Sequence, residues 1–175
     1  MTIPLAHFLA FGLLYSLIDQ ARHGGNPQFP SLRGWRTLFV DGVAAFVIFL
    51  VLGGAPICAG WILSWPLQSL PIGPLRFLPL VPGALLAAPL SAAGIYQYQR
   101  RDSLAAAFRL PELAGILQSC RGGLILPTLA FLGFVAIGYP LIPFTLFTGL
   151  AAAFTFYATS FREIEESRKA EARPS

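Results

Sequence analysis

Three stretches of this chain, residues 42–75, 77–99 and 122–161, contain no charged side chain. Apolar runs of about 18 or more residues match the hydrocarbon thickness of a bilayer, and few soluble folds can hide them. Composition agrees. The 175 residues are 55% hydrophobic and only 11% charged, against a soluble average of roughly 25% charged. The expected class is therefore an all-α integral membrane protein. The formal net charge of +4 does not point to nucleic acid. The arginines sit in short clusters beside apolar runs, where anionic lipid headgroups are their natural partners.

Five spans are expected, at about 3–18, 38–63, 77–96, 123–137 and 141–159. Residues 1–160 then form one transmembrane domain and 161–175 a charged tail. The first span has no basic leader and reads as retained rather than cleaved. Gly53, Gly54 and Pro56 predict a bend in span two. Pro79, Pro82 and Pro89 fall in span three, where neighbouring helices can satisfy the freed carbonyls. Residues 122–159 are too long for one crossing, at roughly 1.5 Å per residue against a core of about 30 Å. Gly138, Tyr139, Pro140 and Pro143 supply the break. Arg162 with Glu166, and Glu165 with Lys169, have the spacing to carry the last span into water as a helix.

Two stretches are too polar to cross and too apolar for ordinary loops. In residues 29–42, helical spacing puts Leu32, Trp35 and Phe39 on one face, with Arg33, Arg36 and Thr37 elsewhere. Ser31 is the expected N-cap. Residues 103–121 divide near Leu110 into two short helices, because Pro111 suits a first turn. Both stretches are expected to lie in the cytoplasmic membrane surface. Arg33, Trp35, Arg36, Arg100, Arg101 and Arg109 are the expected contacts with anionic headgroups.

Basic residues set the orientation. All but Arg76 follow spans one, three or five. The positive-inside rule then places the N-terminus outside and the C-terminus in the cytoplasm. A weak repeat lays residues 35–42 on 108–115, matching the aromatic residue, the arginine and the final glycine. The repeating unit is span, in-plane helix, span, over 3–63 and 77–137, with 141–159 left over. Chance similarity between two amphipathic segments accounts for it nearly as well.

The pattern Pro27-x-Phe-Pro-x-x-x-x-Trp35-x-x-Leu-Phe-x-Asp41-Gly42 resembles the signature of the domain-of-unknown-function family four-thousand-thirteen, a set of prokaryotic membrane proteins. Residues 101–108 resemble its second surface segment. Pro143-Phe144 and Arg162-Glu163 resemble its last span and exit, so that the similarity takes in nearly the whole chain. The chain departs from the pattern at Ser31, Arg33 and Gly34, where acidic residues are usual, and begins later than some members. The resemblance implies several spans with surface helices in a prokaryotic plasma membrane. It implies no activity.

Few residues invite chemistry. Asp41 is the possible functional acid, since a carboxylate entering a span suits a proton or cation role. Headgroup depth, with a cap at a helix start or a pairing with Arg36, is the preferred alternative, and Gly42 then reads as a turn. His7 is a lone histidine in span one, and His23 sits in a turn with nothing nearby to act on. Arg76 is expected to reach the outer phosphates. Asp102 and Glu112 suit helix starts. Cys58 and Cys120 are not expected to pair. No residue set has metal-ligand spacing, phosphate-loop glycines or a nucleophile beside a base, so no catalytic residue, metal or cofactor is assigned. Gly83, Ala87 and Ser91, widened by Ala84, Ala88 and Ala92, form a small-residue face suited to close helix contact. The expected function is a non-enzymatic subunit or accessory of a membrane assembly, with a membrane-protein partner or a second copy. A small transporter or channel is the alternative, and a lipid enzyme the third choice.

Overall fold

Helix α1 (Ile3–Arg22) opens the fold and packs antiparallel on α2 (Trp35–Ile48). The computed structural model describes residues 3–24, 34–71, 73–137 and 142–171. Two glycines allow the α1–α2 approach. A Cβ on Gly12 would run into the Leu38 carbonyl, and one on Gly42 into the Phe8 carbonyl. Phe8 and Phe11 then meet Phe39 and Phe46 edge-on, with ring centroids 5.3–5.5 Å apart. Such T-shaped pairs align ring edge to ring face.

The boundary expected at Gly42 is absent. Helix α2 runs through Asp41 and Gly42 into a π turn at Phe49–Gly53, and on into α3 (Gly54–Ser64). The stretch read as a separate surface helix is, from Trp35 onward, the start of the second long helix. Gly42 serves contact with α1, not a turn. The Ser31 cap and Arg33 lie outside the described residues. Where Gly53, Gly54 and Pro56 predicted a bend, the continuous helix carries the π turn. Proline lacks an N–H and crowds the carbonyl four residues back, which here is Leu52, inside that turn.

Two short 3-10 turns, Pro66–Ser69 and Gly73–Phe77, lead to α4 (Leu80–Arg101). This is the central helix. It carries a buried run from Ser91 to Gln97 and touches α3, α6 and α7. Its antiparallel seam with α3 is built from small residues. A Cβ on Gly83 would strike the Pro56 carbonyl, one on Gly60 would sit 2.6 Å from the Pro79 carbonyl, and one on Gly53 2.8 Å from the Ser91 hydroxyl. Ala87, Ala88, Ser91 and Ala92 are buried in the same region.

Asp102 ends α4 in a left-handed conformation (φ 48°), its N–H donating to the Tyr98 carbonyl at 2.8 Å. It is therefore a C-cap and not the helix start expected for it. Short α5 (Leu104–Ala107) and long α6 (Leu110–Ile137) follow, meeting near Leu110 as the proline predicts. Glu112 lies in the first turn of α6. The chain bends by 92° between Leu110–Cys120 and Gly123–Phe134, which separates an N-terminal arm from a span-like half. Helix α7 (Ile142–Glu171) packs against α1, α4 and α6. At 30 residues it is about 45 Å long by the usual rise, longer than a hydrocarbon core.

All regular structure among the described residues is helical. Two runs, Trp35–Ser69 and Gly73–Arg101, are long and apolar enough to cross a membrane, and the bent pair in α6 makes a third if taken as one span. That supports two or three crossings by length and composition, fewer than the five expected. The two segments aligned as a repeat also differ locally. Residues 35–42 lie within an unbroken helix, while 108–115 cross the α5–α6 junction.

Candidate functional site: a polar end and an apolar cleft

The C-terminal ends of α1, α4 and α7 come together at one end of the bundle. Arg162 on α7 donates to the Ala21 carbonyl at 3.1 Å, which also accepts the Gly24 N–H at the end of α1. Gln99 on α4 donates to the Tyr15 carbonyl at 2.8 Å. The Tyr96 hydroxyl donates to Glu165 Oε2 at 2.8 Å, across helices far apart in sequence. Asp19 pairs with Arg22 at 3.2 Å, and His23 Nδ1 lies 2.9 Å from the Asp19 carbonyl. His23 is thus engaged by its own helix end, contrary to its reading as an isolated turn residue. The side chain of His7 lies outside the described residues.

Glu165 is the hub of this end. Its Oε1 meets Lys169 Nζ at 3.1 Å and Arg100 at 3.5 Å, while Oε2 takes the Tyr96 hydroxyl. Burial opposes its ionisation, but the hydrogen bonds from Tyr96 and Lys169 and the charge of Arg100 outweigh it. The carboxyl is held below its ordinary range. Beside it lies a cavity of about 220 Å³, walled by α4, the N-terminal arm of α6 and α7. Sequence reading identified Tyr96 as a span exit and Glu165–Lys169 as a local pair, but did not join them. The Tyr96-to-Arg100 spacing, which puts both on one helix face, was the available signal.

Of the other expected site residues, Gly83, Ala87 and Ser91 lie on the α3–α4 seam and Arg33 lies outside the described residues. Trp35 is 52% exposed and its ring carries the Arg36 guanidinium at 5.5 Å. Arg101 and Arg109 are exposed and share Glu112, at 2.9 and 3.3 Å. Asp41 is half-buried in the second turn of α2. Since the helix begins at Trp35, Asp41 is not a cap, and no ion pair joins it to Arg36 among the described residues. Arg76, at the other end, stacks its guanidinium 4.8 Å from the Phe77 ring centroid. Cys58 is exposed and Cys120 buried, and neither is in a disulfide. No group of metal-ligating side chains forms among the described residues.

Away from this end the polar side chains are satisfied locally. Ser91 donates to the Ala87 carbonyl at 2.6 Å. Thr128 donates to the Leu124 carbonyl and meets the Tyr157 hydroxyl, each at 2.6 Å. That buried pair ties α6 to α7 and was not foreseen. The second cavity, about 490 Å³, lies between the span-like half of α6 and α7 and is almost wholly apolar. Gly149, Ala152 and Ala153 form one side of it, with Phe131, Phe134 and Phe156 beside them.

Comparison with known proteins adds one match. Neither a curated protein nor a solved structure matches the chain. Residues 1–147 match the family described as "Protein of unknown function (DUF4013)". The match stops short of the polar part of α7, so Arg162-Glu163 falls outside it, and the hub at Glu165 joins a family segment to one beyond it. With most of its length so matched, the chain belongs to the DUF4013 family.

Proposed function

We propose that this protein is a five-span integral membrane protein, N-terminus outside and C-terminus cytoplasmic, acting without catalysis as a subunit or accessory of a membrane assembly. The observation that carries the reading is the apolar cleft between α6 and α7. Its open lining includes Ala152 with Phe134 and Phe156, all exposed, whereas Gly149 and Ala153 are buried and Gly149 already meets Phe131 and Phe134. In lipid there is little hydrophobic drive between helices, so association depends on small residues that admit a neighbouring backbone. The cleft suits a transmembrane helix of a partner protein.

A photocrosslinking residue at Ala152 tests this in native membranes. One discrete adduct of higher mass is expected, lost when Ala130→Trp fills the cleft. The same residue at Leu126, which is 76% exposed, should give no such adduct. Crosslinks to lipid alone from both positions would sink the subunit reading. One feature favours a small transporter or channel instead. The π turn at Phe49–Gly53 sits inside the longest apolar helix, and such turns recur where spans open carbonyls to a substrate path. Substrate-independent stability together with no flux of protons or small cations in proteoliposomes would remove that reading.

A further inference from the structure

The cavity at the polar end has the composition of a lipid-phosphate site. Its two cations, Arg100 and Lys169, both lean on one oxygen of Glu165. Glu165 has no second acidic partner there, since Glu166 faces Arg162 at 3.6 Å. The cluster is therefore one positive charge in excess. Arg100 and Lys169 are also 46% and 71% exposed. A guanidinium has five N–H donors and an ammonium three, so most of theirs remain available to an anion. The rest of the lining is mostly apolar, with Ile116 from α6 and Phe161 and Ile164 from α7 beside Ser119 and Cys120.

The position of the cavity matters as much as its chemistry. Residues 77–99 and 122–161 carry no charge, and Arg100 and Arg162 are the first charges beyond them. The cavity sits at that border on α4 and α7 alike. The arm of α6 that closes it stands at 92° to the span-like half of the same helix. An anion with apolar atoms attached, held where apolar helix gives way to charged helix, is a phospholipid headgroup with the start of its chains.

We infer that this cavity binds the phosphate of an anionic phospholipid at the cytoplasmic surface, with Arg100 and Lys169 as donors and Ile116, Phe161 and Ile164 against the upper acyl carbons. The inference rests on the membrane-embedded part of the proposed function and not on the subunit role. A free phosphate would offer the same donors a target but would leave the apolar wall uncovered.

Thermal unfolding of the full chain in a neutral detergent tests the site. Phosphatidylglycerol, phosphatidylcholine and inorganic phosphate are titrated separately. Phosphatidylglycerol is expected to raise the melting temperature saturably, and inorganic phosphate at the same concentration is not. Arg100→Gln with Lys169→Gln should weaken the apparent affinity for phosphatidylglycerol roughly tenfold or more, since each basic residue near anionic lipid contributes on the order of a fewfold to tenfold in binding. Arg22→Gln, which removes an arginine outside the cavity that is paired with Asp19, should leave the affinity unchanged. Should the double variant lose its folded, monodisperse state, Ile116→Trp decides. It fills the cavity with every charge kept, and must also abolish the increment.

An equal response to inorganic phosphate overturns the lipid assignment. An undiminished response in Ile116→Trp, or an equal loss in Arg22→Gln, overturns the site. Flotation with phosphatidylcholine vesicles separates the two failures. A protein that floats without a phosphatidylglycerol increment has lost only the cavity proposal, whereas one that does not float has lost the membrane reading itself.

Discussion

Gly42 and Gly115 close the two segments aligned as a repeat, yet they answer to different physics. A Cβ on Gly42 would enter the Phe8 carbonyl, whereas nothing lies within 4 Å of one on Gly115. Gly42→Leu should therefore force α1 from α2, costing roughly 3 kcal/mol or more through overpacking against backbone. Gly115→Ala should instead stabilise α6 by about 0.5–1 kcal/mol, by lowering the entropy of the unfolded chain. Thermal melts of the two variants in one detergent check both signs. Sequence alone could not tell these glycines apart, because glycine is the same residue whether chosen for smallness or for flexibility. The misreading of Asp41-Gly42 as a turn has that cause. Glu165 supplies a residue-scale test with a pH signature. Its folded carboxyl is held below the ordinary range, so its contribution is fully present above the unfolded value of about 4.3. It is lost as pH falls through the lower folded value. Glu165→Gln should therefore destabilise near neutral pH, by about 1 kcal/mol given the partial exposure of its partners. The difference should shrink as the pH falls through that lower value. A constant difference from pH 7 to pH 3 would assign Glu165 a packing role only.

Helix α4 is the element on which the others are assembled, and its small face was visible in the sequence as two overlapping rows. What the rows could not say was which helix they would meet. The contact of Gly83 with Pro56, and of Gly53 with Ser91, assigns part of that face to α3 of the same chain. Ala88 is 3% exposed, so Ala88→Phe inserts a ring where no space exists. Loss of monodisperse protein on size exclusion is expected, not loss of an associated copy alone. A folded Ala88→Phe that elutes like wild type would mean the α3–α4 seam opens freely in detergent. Pro111 sits in a first turn of α6 and Pro89 inside α4, each as expected, and Pro127, of which nothing was expected, lies inside α6. A proline alone does not say whether a bundle will tolerate it, because tolerance depends on who satisfies the carbonyl it frees.

At the scale of the molecule, the legible property was the sorting of charge, and the illegible one was the joining of helix ends. The basic residues after spans one, three and five were expected on one side from their order along the chain. The fold brings the ends of α1, α4 and α7 into contact through Arg162 with Ala21, Gln99 with Tyr15 and Glu165 with Tyr96 and Arg100. Contacts of that range have no periodicity for a sequence to display. They nonetheless make topology a sharper question. Helices α1, α4 and α7 finish at the same end, and the turns around Gln68 lie after α3, which runs antiparallel to α4. If the membrane crosses the bundle between these ends, a reporter fused after Ser175 and one inserted at Gln68 must fall on opposite sides. The charge bias assigns the first to the cytoplasm. The free energy behind that bias comes from many arginines acting together, so reversing one cluster should not invert the protein. Arg100→Glu with Arg101→Glu is expected to keep the C-terminal reporter cytoplasmic while lowering stability, because both ion pairs to Glu165 and Glu112 are lost. The same side for both wild-type reporters would rule out an odd number of crossings between the two positions, and with it the five-span arrangement.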